Sequence, residues 1–280
     1  MISLAGLAAQ FTELMLAVVL APMLTGWVNQ CRAWLQNRSA PPLLQPYFIL
    51  NKLFSKEVVL AHNASPLFRI APYLIFGCLA LAGMDIGTAF GSLGARREML
   101  VGFLAEPALL MVLFTASLIS GSSSLATIVE AIAHKEFAIY PSLAIAGVAF
   151  TMVSLAENAR IPVDNPATHL ELTMIHEAMV LEYSGRHLAM IEWAASLKLF
   201  VYSCIGLALF FPFGVAGGGD AAGIVLALPV LLLKLAIGGF LLALIETLSA
   251  KMRIFRAPEF LGTAFLLAVL SMLIHVLLER

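Results

Sequence analysis

The sequence predicts an all-α integral membrane protein, and two of its properties carry that prediction. Apolar residues make up 61% of the 280 residues and charged residues only 12%, whereas about a quarter of the residues in soluble domains are charged. The apolar residues also form continuous runs of the roughly 20 residues that a helix needs to cross a bilayer. Only helices and closed barrels satisfy the backbone within lipid, and continuous runs, unlike short alternating segments, indicate helices.

Seven apolar runs are long enough to be spans. They lie at Leu4–Trp27, Ile70–Phe90, Leu100–Ser120, Phe137–Leu155, Trp193–Phe213, Ala222–Leu248 and Phe260–Leu278. The first run has no basic segment before it and no small-residue cleavage site after it, so we interpret it as a retained span and not as a signal peptide. The sequence therefore predicts a polytopic helix bundle that forms a single transmembrane domain over residues 1–280.

The basic residues predict the orientation of the bundle. Residues 29–69 and 249–258 are rich in basic residues and together contain one acidic residue, so we expect both segments to be cytoplasmic. The basic residues of the first segment are Arg32, Arg38, Lys52, Lys56 and Arg69, and those of the second are Lys251, Arg253 and Arg256. This predicts an inner-membrane protein with its N-terminus outside and residues 157–192 cytoplasmic. The orientation requires an even number of crossings between Arg69 and Arg96, although 26 residues are too few for two full spans. A short hairpin, a non-crossing helix and the loss of a segment all remain open.

A second kind of helix is expected after the prolines at 41, 42 and 46. The segment YFILNKLFSKEVVL places Leu50, Phe54 and Val58 on one side and Lys52 and Lys56 on the other. This pattern predicts a helix along the membrane surface, and an ordinary amphipathic connector fits it equally well.

Several functional classes are excluded by missing patterns. Cys31, Cys78 and Cys204 are solitary, so we expect no metal or redox centre in this chain and assign any such centre to a partner. Neither a P-loop nor a dinucleotide-binding glycine pattern is present, and the net charge is −1, so nucleotide and nucleic-acid roles are not supported. His176-Glu177 lacks the second histidine of a zinc-protease helix, since position 180 is valine.

The stretch from 157 to 185 carries five acidic residues in a chain with 17. Pro162 and Pro166 end the preceding helix, and a new helix is expected from Ala167 to about Tyr183. Partly buried carboxylates at close spacing raise one another's pKa and can exchange protons. A solvated acidic loop is the alternative. We predict a proton pathway through Glu157, Asp164, Glu171, Glu177, Glu182, Glu192 and Lys198. The following helix is expected to carry Glu192 and Lys198 inward. Lys198 is either an ion-pair partner or a further step of the pathway.

Other ionisable residues within the apolar runs are costly in hydrocarbon and are functional candidates for that reason. Glu106 and Asp85 are added to the predicted pathway, followed by Lys234. For Glu13, Glu246 and His275 we expect packing or partner contacts. Arg160 and Arg186 are expected to balance the acidic charges.

Three motifs carry a resemblance to a known family. They are A-E-N-A-R-I-P-V-D at 156–164, T-H-L-E-L-T-M-I-H-E-A-M-V-L-E-Y-S-G at 168–185 and I-E-W at 191–193. These residues resemble the membrane subunit that hydrogenase-4 (component C type) and formate hydrogenlyase share with respiratory complex I, where it is known as ND-one. Weaker likeness extends over most of the chain. Family members have eight spans, so the resemblance implies a shortening near Ala82–Gly83.

The resemblance implies a position beneath a peripheral arm and a proton path toward antiporter-like membrane subunits. The arm would consist of hydrogenase large and small subunits that hold the nickel–iron and iron–sulfur centres, with no cofactor in this chain. The cytoplasmic loops 29–69 and 157–192 would face the arm, with Arg160, Arg186, Lys52 and Lys56 as arm contacts or charge partners. The family's polar motif in the first cytoplasmic loop is replaced here by Ser39–Pro42, which would weaken the polar contacts of that loop.

Two other functions remain open. One is the quinone-site subunit of an NADH-quinone oxidoreductase-like complex, and the other is a structural anchor without transport. A stand-alone transporter is disfavoured because neither inverted repeats nor paired broken helices are visible.

Overall fold

The computed structural model describes residues 4–58, 89–134, 140–163, 179–181, 183–214, 221–249 and 256–278. Within these ranges the regular structure is helical and contains no strand, which confirms the all-α class. Eight helices are found there: α1 (Leu4–Leu35), α2 (Gln45–Phe54), α3 (Ala89–Ser120), α4 (Leu125–His134), α5 (Pro141–Glu157), α6 (Gly185–Phe210), α7 (Ala221–Leu248) and α8 (Ala257–Leu278).

Five of these helices, α1, α3, α6, α7 and α8, are long and apolar enough to cross a membrane, and α5 is a shorter apolar helix of 17 residues. Together they account for six of the seven predicted runs. The remaining run, Ile70–Phe90, lies outside the described residues except at its last two positions, so the number of crossings between 70 and 95 stays a prediction. The chain is a multi-pass membrane protein.

Two helices differ from the sequence-based expectation. Helix α4 was not predicted, because its ten residues are too few for a span. Helix α2 ends at Phe54, earlier than predicted, because the chain leaves the helix at Ser55. Lys56 and Val58 therefore lie beyond it, while Leu50 is buried as expected.

Small residues bring α3, α5 and α8 into close contact. Their facing surfaces are largely alanine, and these side chains have no exposed surface: Ala105, Ala108, Ala146, Ala149, Ala264 and Ala268. Small side chains let helix backbones approach closely, which drives helix association within lipid. The buried hydroxyl of Ser271 adds a hydrogen bond across this interface, donated to the carbonyl of Ser142 at 2.7 Å.

Helices α1, α6 and α7 form a second group, with α2 packed against α1 and α6. The indole of Trp27 in α1 donates to the carbonyl of Ala236 in α7 at 2.9 Å. A Cβ atom at Gly239 would lie 2.8 Å from the Trp27 ring, so the glycine is what allows this approach.

Pro22 lies next to the backbone carbonyls of α1 that accept hydrogen bonds from α2 and α6. A proline has no N–H, so the carbonyl of Val18, four residues earlier, receives no helical hydrogen bond. The indole of Trp193 in α6 donates to this carbonyl at 3.0 Å. The neighbouring carbonyl of Val19 accepts the hydroxyl of Tyr47 in α2. Backbone groups within lipid need such internal partners, so the proline and these two donors form one structural unit.

Candidate functional site

Glu157 and Lys198 form a close ion pair. Glu157 is the last residue of α5, and its carboxylate lies 2.7 Å from the ammonium of Lys198 in α6. Their side chains are only 14% and 19% exposed. The first residue of the acidic stretch is therefore held against a lysine inside the bundle, in a place largely shielded from solvent.

A second group centres on Glu246, in the last turn of α7. One carboxylate oxygen lies 3.4 Å from the guanidinium of Arg32, near the end of α1, and the other lies 3.3 Å from that of Arg160, just after α5. The Glu246 side chain is fully buried, while those of Arg32 and Arg160 are 33% and 16% exposed. Arg32 also donates to the side chain of Asn29 at 3.1 Å. We call Glu157, Lys198, Glu246, Arg32 and Arg160 the ion cluster.

Two further residues, Tyr202 and Glu192, interact with charges of this cluster. Tyr202, one turn beyond Lys198 on α6, lies close enough to Glu157 and Glu106 to interact with both charges. Glu192 interacts with the charge of Arg160 in the same way. Of the predicted pathway residues, Glu157 and Lys198 are in contact, and the charges of Glu157 and Glu106 both act on Tyr202, which was not predicted.

Gly185 joins the two segments that were predicted to face the arm. It begins α6 with a φ of +54°, and a Cβ atom there would lie 2.6 Å from the carbonyl oxygen of Glu57 and 2.9 Å from that of Lys56. Only glycine fits both the left-handed backbone and the close approach. Lys56 and Glu57, within the 29–69 segment, are therefore in contact with Gly185, the last residue of the acidic stretch. Nearby, burial raises the pKa of Tyr183 well above its ordinary value.

The remaining predicted site residues fall into two sets. Asp85, Asp164, Glu171, Glu177 and Glu182 lie outside the described residues, so their positions stay predictions. Lys52, Lys56, Arg186, Glu192 and Glu106 are exposed in the single chain.

Glu192 was predicted to be carried inward with Lys198. The two are six residues apart, about 240° around a helix, so they lie on different faces of α6. The Lys198 side chain is 19% exposed and Glu192 is exposed in the single chain, so the inward position of Glu192 stays a prediction.

Glu246 is the residue whose pairing the sequence analysis missed. Its partners lie 214 and 86 residues away along the chain, so no local spacing indicates them. One signal was available: an acid in the last turn of an apolar span has a costly charge and must find a cation.

Lys234 has a local structural role. Its ammonium donates to the carbonyls of Phe211, at 2.7 Å, and Phe213, where α6 has ended.

The Glu157–Lys198 pair has the geometry that a proton exchange requires. A carboxylate and an amine at hydrogen-bonding distance can share a proton, and low exposure keeps bulk water from competing. A metal site has no support among the residues with described side chains, where no three His, Cys, Asp or Glu residues group together. Cys31 and Cys204 are both free thiols.

Comparison with known proteins places this arrangement in context. Formate hydrogenlyase subunit 4 of Escherichia coli (strain K12) is 28% identical over 287 residues, covering 90% of this chain and 92% of the relative. Hydrogenase-4 component C of the same organism is 27% identical over 295 residues, covering 92% of each.

The same fold occurs in a solved structure described as the membrane-bound sulfane sulfur reductase (MBS), an archaeal respiratory membrane complex. The match has a TM-score of 0.81 at 17% identity and covers 94% of this chain and 97% of the other. The family model described as NADH dehydrogenase matches residues 9–86 and 77–277. With nearly the whole length matched, the chain belongs to the NADH dehydrogenase membrane-subunit family.

Proposed function

We propose that the chain is the membrane subunit of a complex I-like nickel–iron hydrogenase of the hydrogenase-4 and formate hydrogenlyase type. In this role it anchors the peripheral redox arm and carries a glutamate-rich proton pathway. The names of the two bacterial relatives support membership of such a complex. The observation that carries the pathway is the shielded pair of Glu157 and Lys198 at 2.7 Å.

The proposed proton step uses this pair. A proton that arrives on Glu157 neutralises its carboxylate and removes the attraction that holds Lys198. The released ammonium then gives its proton to the next acceptor, the neutral amine takes the proton from Glu157, and the ion pair re-forms. We assign the acceptor role to Glu106, by way of Tyr202, because the charges of Glu157 and Glu106 both act on Tyr202. Glu246 is not part of this step: it is paired with Arg32 and Arg160 and holds Arg160 near the start of the acidic stretch.

Anchoring of the arm uses the surface around Gly185. Lys52 and Lys56 lie at and just after the end of α2, Arg186 is the second residue of α6, and the Gly185 contact holds these segments together. All three basic side chains are exposed. We assign this surface to the hydrogenase large and small subunits, which supply the nickel–iron and iron–sulfur centres, and we expect antiporter-like subunits beside the bundle. The proposal includes an inner-membrane location with the N-terminus outside and the acidic stretch cytoplasmic.

The experiment separates electron transfer from proton movement. Glu157→Gln and Lys198→Met are introduced into the assembled complex, and Glu130→Gln, an exposed position on α4, is the control. Hydrogen oxidation with a soluble dye reports the redox arm, and a pH-sensitive dye inside vesicles reports proton movement. We expect both variants to assemble and reduce the dye while proton movement falls at least about tenfold, a barrier change of about 1.4 kcal/mol. Normal proton movement in both variants would refute the pathway.

The description of the matched family as NADH dehydrogenase favours a second candidate, a quinone-site subunit. In that case short-chain quinones would compete for the site and inhibit turnover of the complex. If they have no effect, and hydrogenase subunits copurify with the chain, the hydrogenase assignment holds. A purely structural anchor would support hydrogenase activity without any proton movement, even in the unsubstituted complex.

A further inference from the structure

A groove of about 660 Å³ is lined mainly by α5, α6 and α7, with a few residues of α3 and α4. No member of the ion cluster lines it, but Tyr202 does. Apolar side chains line most of it, and its volume lies within the roughly 300–1,000 Å³ of typical ligand sites. Val148, Leu241, Phe211 and Phe213 form part of its lining and are each about half exposed. The groove therefore opens sideways through an apolar rim on the surface of three apolar helices, where hydrocarbon and not water is the surrounding medium.

A positive charge lies beside the groove, next to two of its lining residues, Phe211 and Phe213. The ammonium of Lys234 contacts the carbonyls of Phe211 and Phe213 and lies 5.8 Å from the centre of the Phe213 ring. These contacts satisfy hydrogen bonds but leave the net charge uncompensated. None of the salt bridges formed within the described ranges includes Lys234. An isolated charge within an apolar environment is costly, so its neutralisation by an anion would stabilise the site.

The face of α7 within the groove is open. Gly238 lines the groove, and a Cβ atom there would meet only the tip of Leu207, at 3.9 Å. The other lining glycines behave differently: a Cβ atom at Gly206 would lie 2.8 Å from the Phe150 ring, so that glycine serves the contact between α5 and α6. A larger side chain at 238 would enter the groove without a backbone clash.

We propose that the groove binds an anionic phospholipid of the surrounding bilayer. One acyl chain lies between α5 and α7, and the phosphate neutralises Lys234. An apolar body with one anionic end is the ligand chemistry that matches both the lining and the charge. A neutral lipid would fill the groove and leave the ammonium without a counterion.

The test measures lipid retention on the intact complex. The complex is reconstituted in vesicles of equal parts phosphatidylglycerol and phosphatidylcholine and extracted again, and retained lipids are counted by native mass spectrometry. The unsubstituted complex should retain phosphatidylglycerol preferentially. Lys234→Met should reduce that preference about fivefold, as expected for one lysine near anionic headgroups. Gly238→Phe should remove the retained lipid altogether.

Gly102→Phe is the matched control, because a Cβ atom at Gly102 in α3 also has nothing within 4 Å and the position lies outside the groove. Three results would overturn the proposal. Gly238→Phe could retain as much lipid as Gly102→Phe, or the unsubstituted complex could retain both lipids equally. The third is a crosslink from Val148→Cys to another subunit, which would show that a protein occupies the groove.

Discussion

The carboxylate of Glu246 lies 3.3 Å from the guanidinium of Arg160, with Arg32 on its other side at 3.4 Å. The three residues belong to the end of α7, the segment after α5 and the end of α1. A fully buried carboxylate shared by two arginines therefore fixes three chain segments at the same end of the bundle. One of these segments is the start of the acidic stretch.

Replacing Glu246 with glutamine should destabilise the fold strongly. The substitution leaves two arginines without their buried counterion, and breaking a buried pair in this way costs about 3–5 kcal/mol. The midpoint of thermal unfolding of the purified complex measures the loss. Glu130→Gln on the exposed face of α4 should stay within about 0.5 kcal/mol. Equal unfolding midpoints for the two variants would show that the cluster contributes nothing to stability.

The role of Pro22 in the hydrogen bond from Trp193 to the Val18 carbonyl can be tested by substitution. Trp193→Phe leaves the Val18 carbonyl without a donor, which costs about 1–3 kcal/mol for a buried acceptor. Pro22→Ala restores a helical N–H to that carbonyl, so the same change should cost less in the Pro22→Ala background. Trp34→Phe, at a half-exposed indole, is the control. If Trp193→Phe lowers the free energy of unfolding equally with and without Pro22, the proline is not the reason that the Val18 carbonyl needs this donor.

The sequence predicts features that depend on neighbouring residues better than contacts between residues far apart along the chain. Apolar runs are local properties, and they located α1, α3, α6, α7 and α8 because lipid requires long apolar helices. Helix α4 was missed because its ten residues are too few to cross a membrane, so no long apolar run marks it in the sequence. The pairing of Glu157 with Lys198 was partly anticipated from the clustering of charge, whereas the pairing of Glu246 with Arg32 depends on residues 214 positions apart. Contacts of that kind follow from packing, and no local pattern encodes them.

Gly185 should be intolerant of any side chain. Gly185→Ala places a Cβ atom 2.6 Å from the Glu57 carbonyl and also strains a backbone with positive φ, at about 1–2 kcal/mol for the strain alone. Gly121→Ala carries only the strain, because its φ is +73° and its surroundings are open. We expect Gly185→Ala to lower the unfolding midpoint further and to release the peripheral arm at lower salt, measured by copurification. Identical behaviour of the two variants would contradict the proposed junction.

Tyr183 predicts a dependence of stability on alkaline pH. Burial raises its pKa in the folded state above the ordinary value of about 10. Below pH 10 the phenol is protonated in both states and its contribution is complete; above pH 10 the unfolded state ionises first, so stability falls as pH rises. Tyr183→Phe should flatten the fall in unfolding midpoint between about pH 9 and 11 relative to the unsubstituted protein. Parallel curves would show that the phenol is not shielded.

The charge pair of Glu157 and Lys198 allows the most direct test of the proton pathway. The number of protons moved per hydrogen molecule is measured in vesicles for Glu157→Lys, for Lys198→Glu and for the double exchange. The account predicts that each single change, which places two like charges together, abolishes coupled proton movement while the complex still reacts with hydrogen, and that the double exchange restores part of it. Unchanged proton movement in both single variants would contradict it.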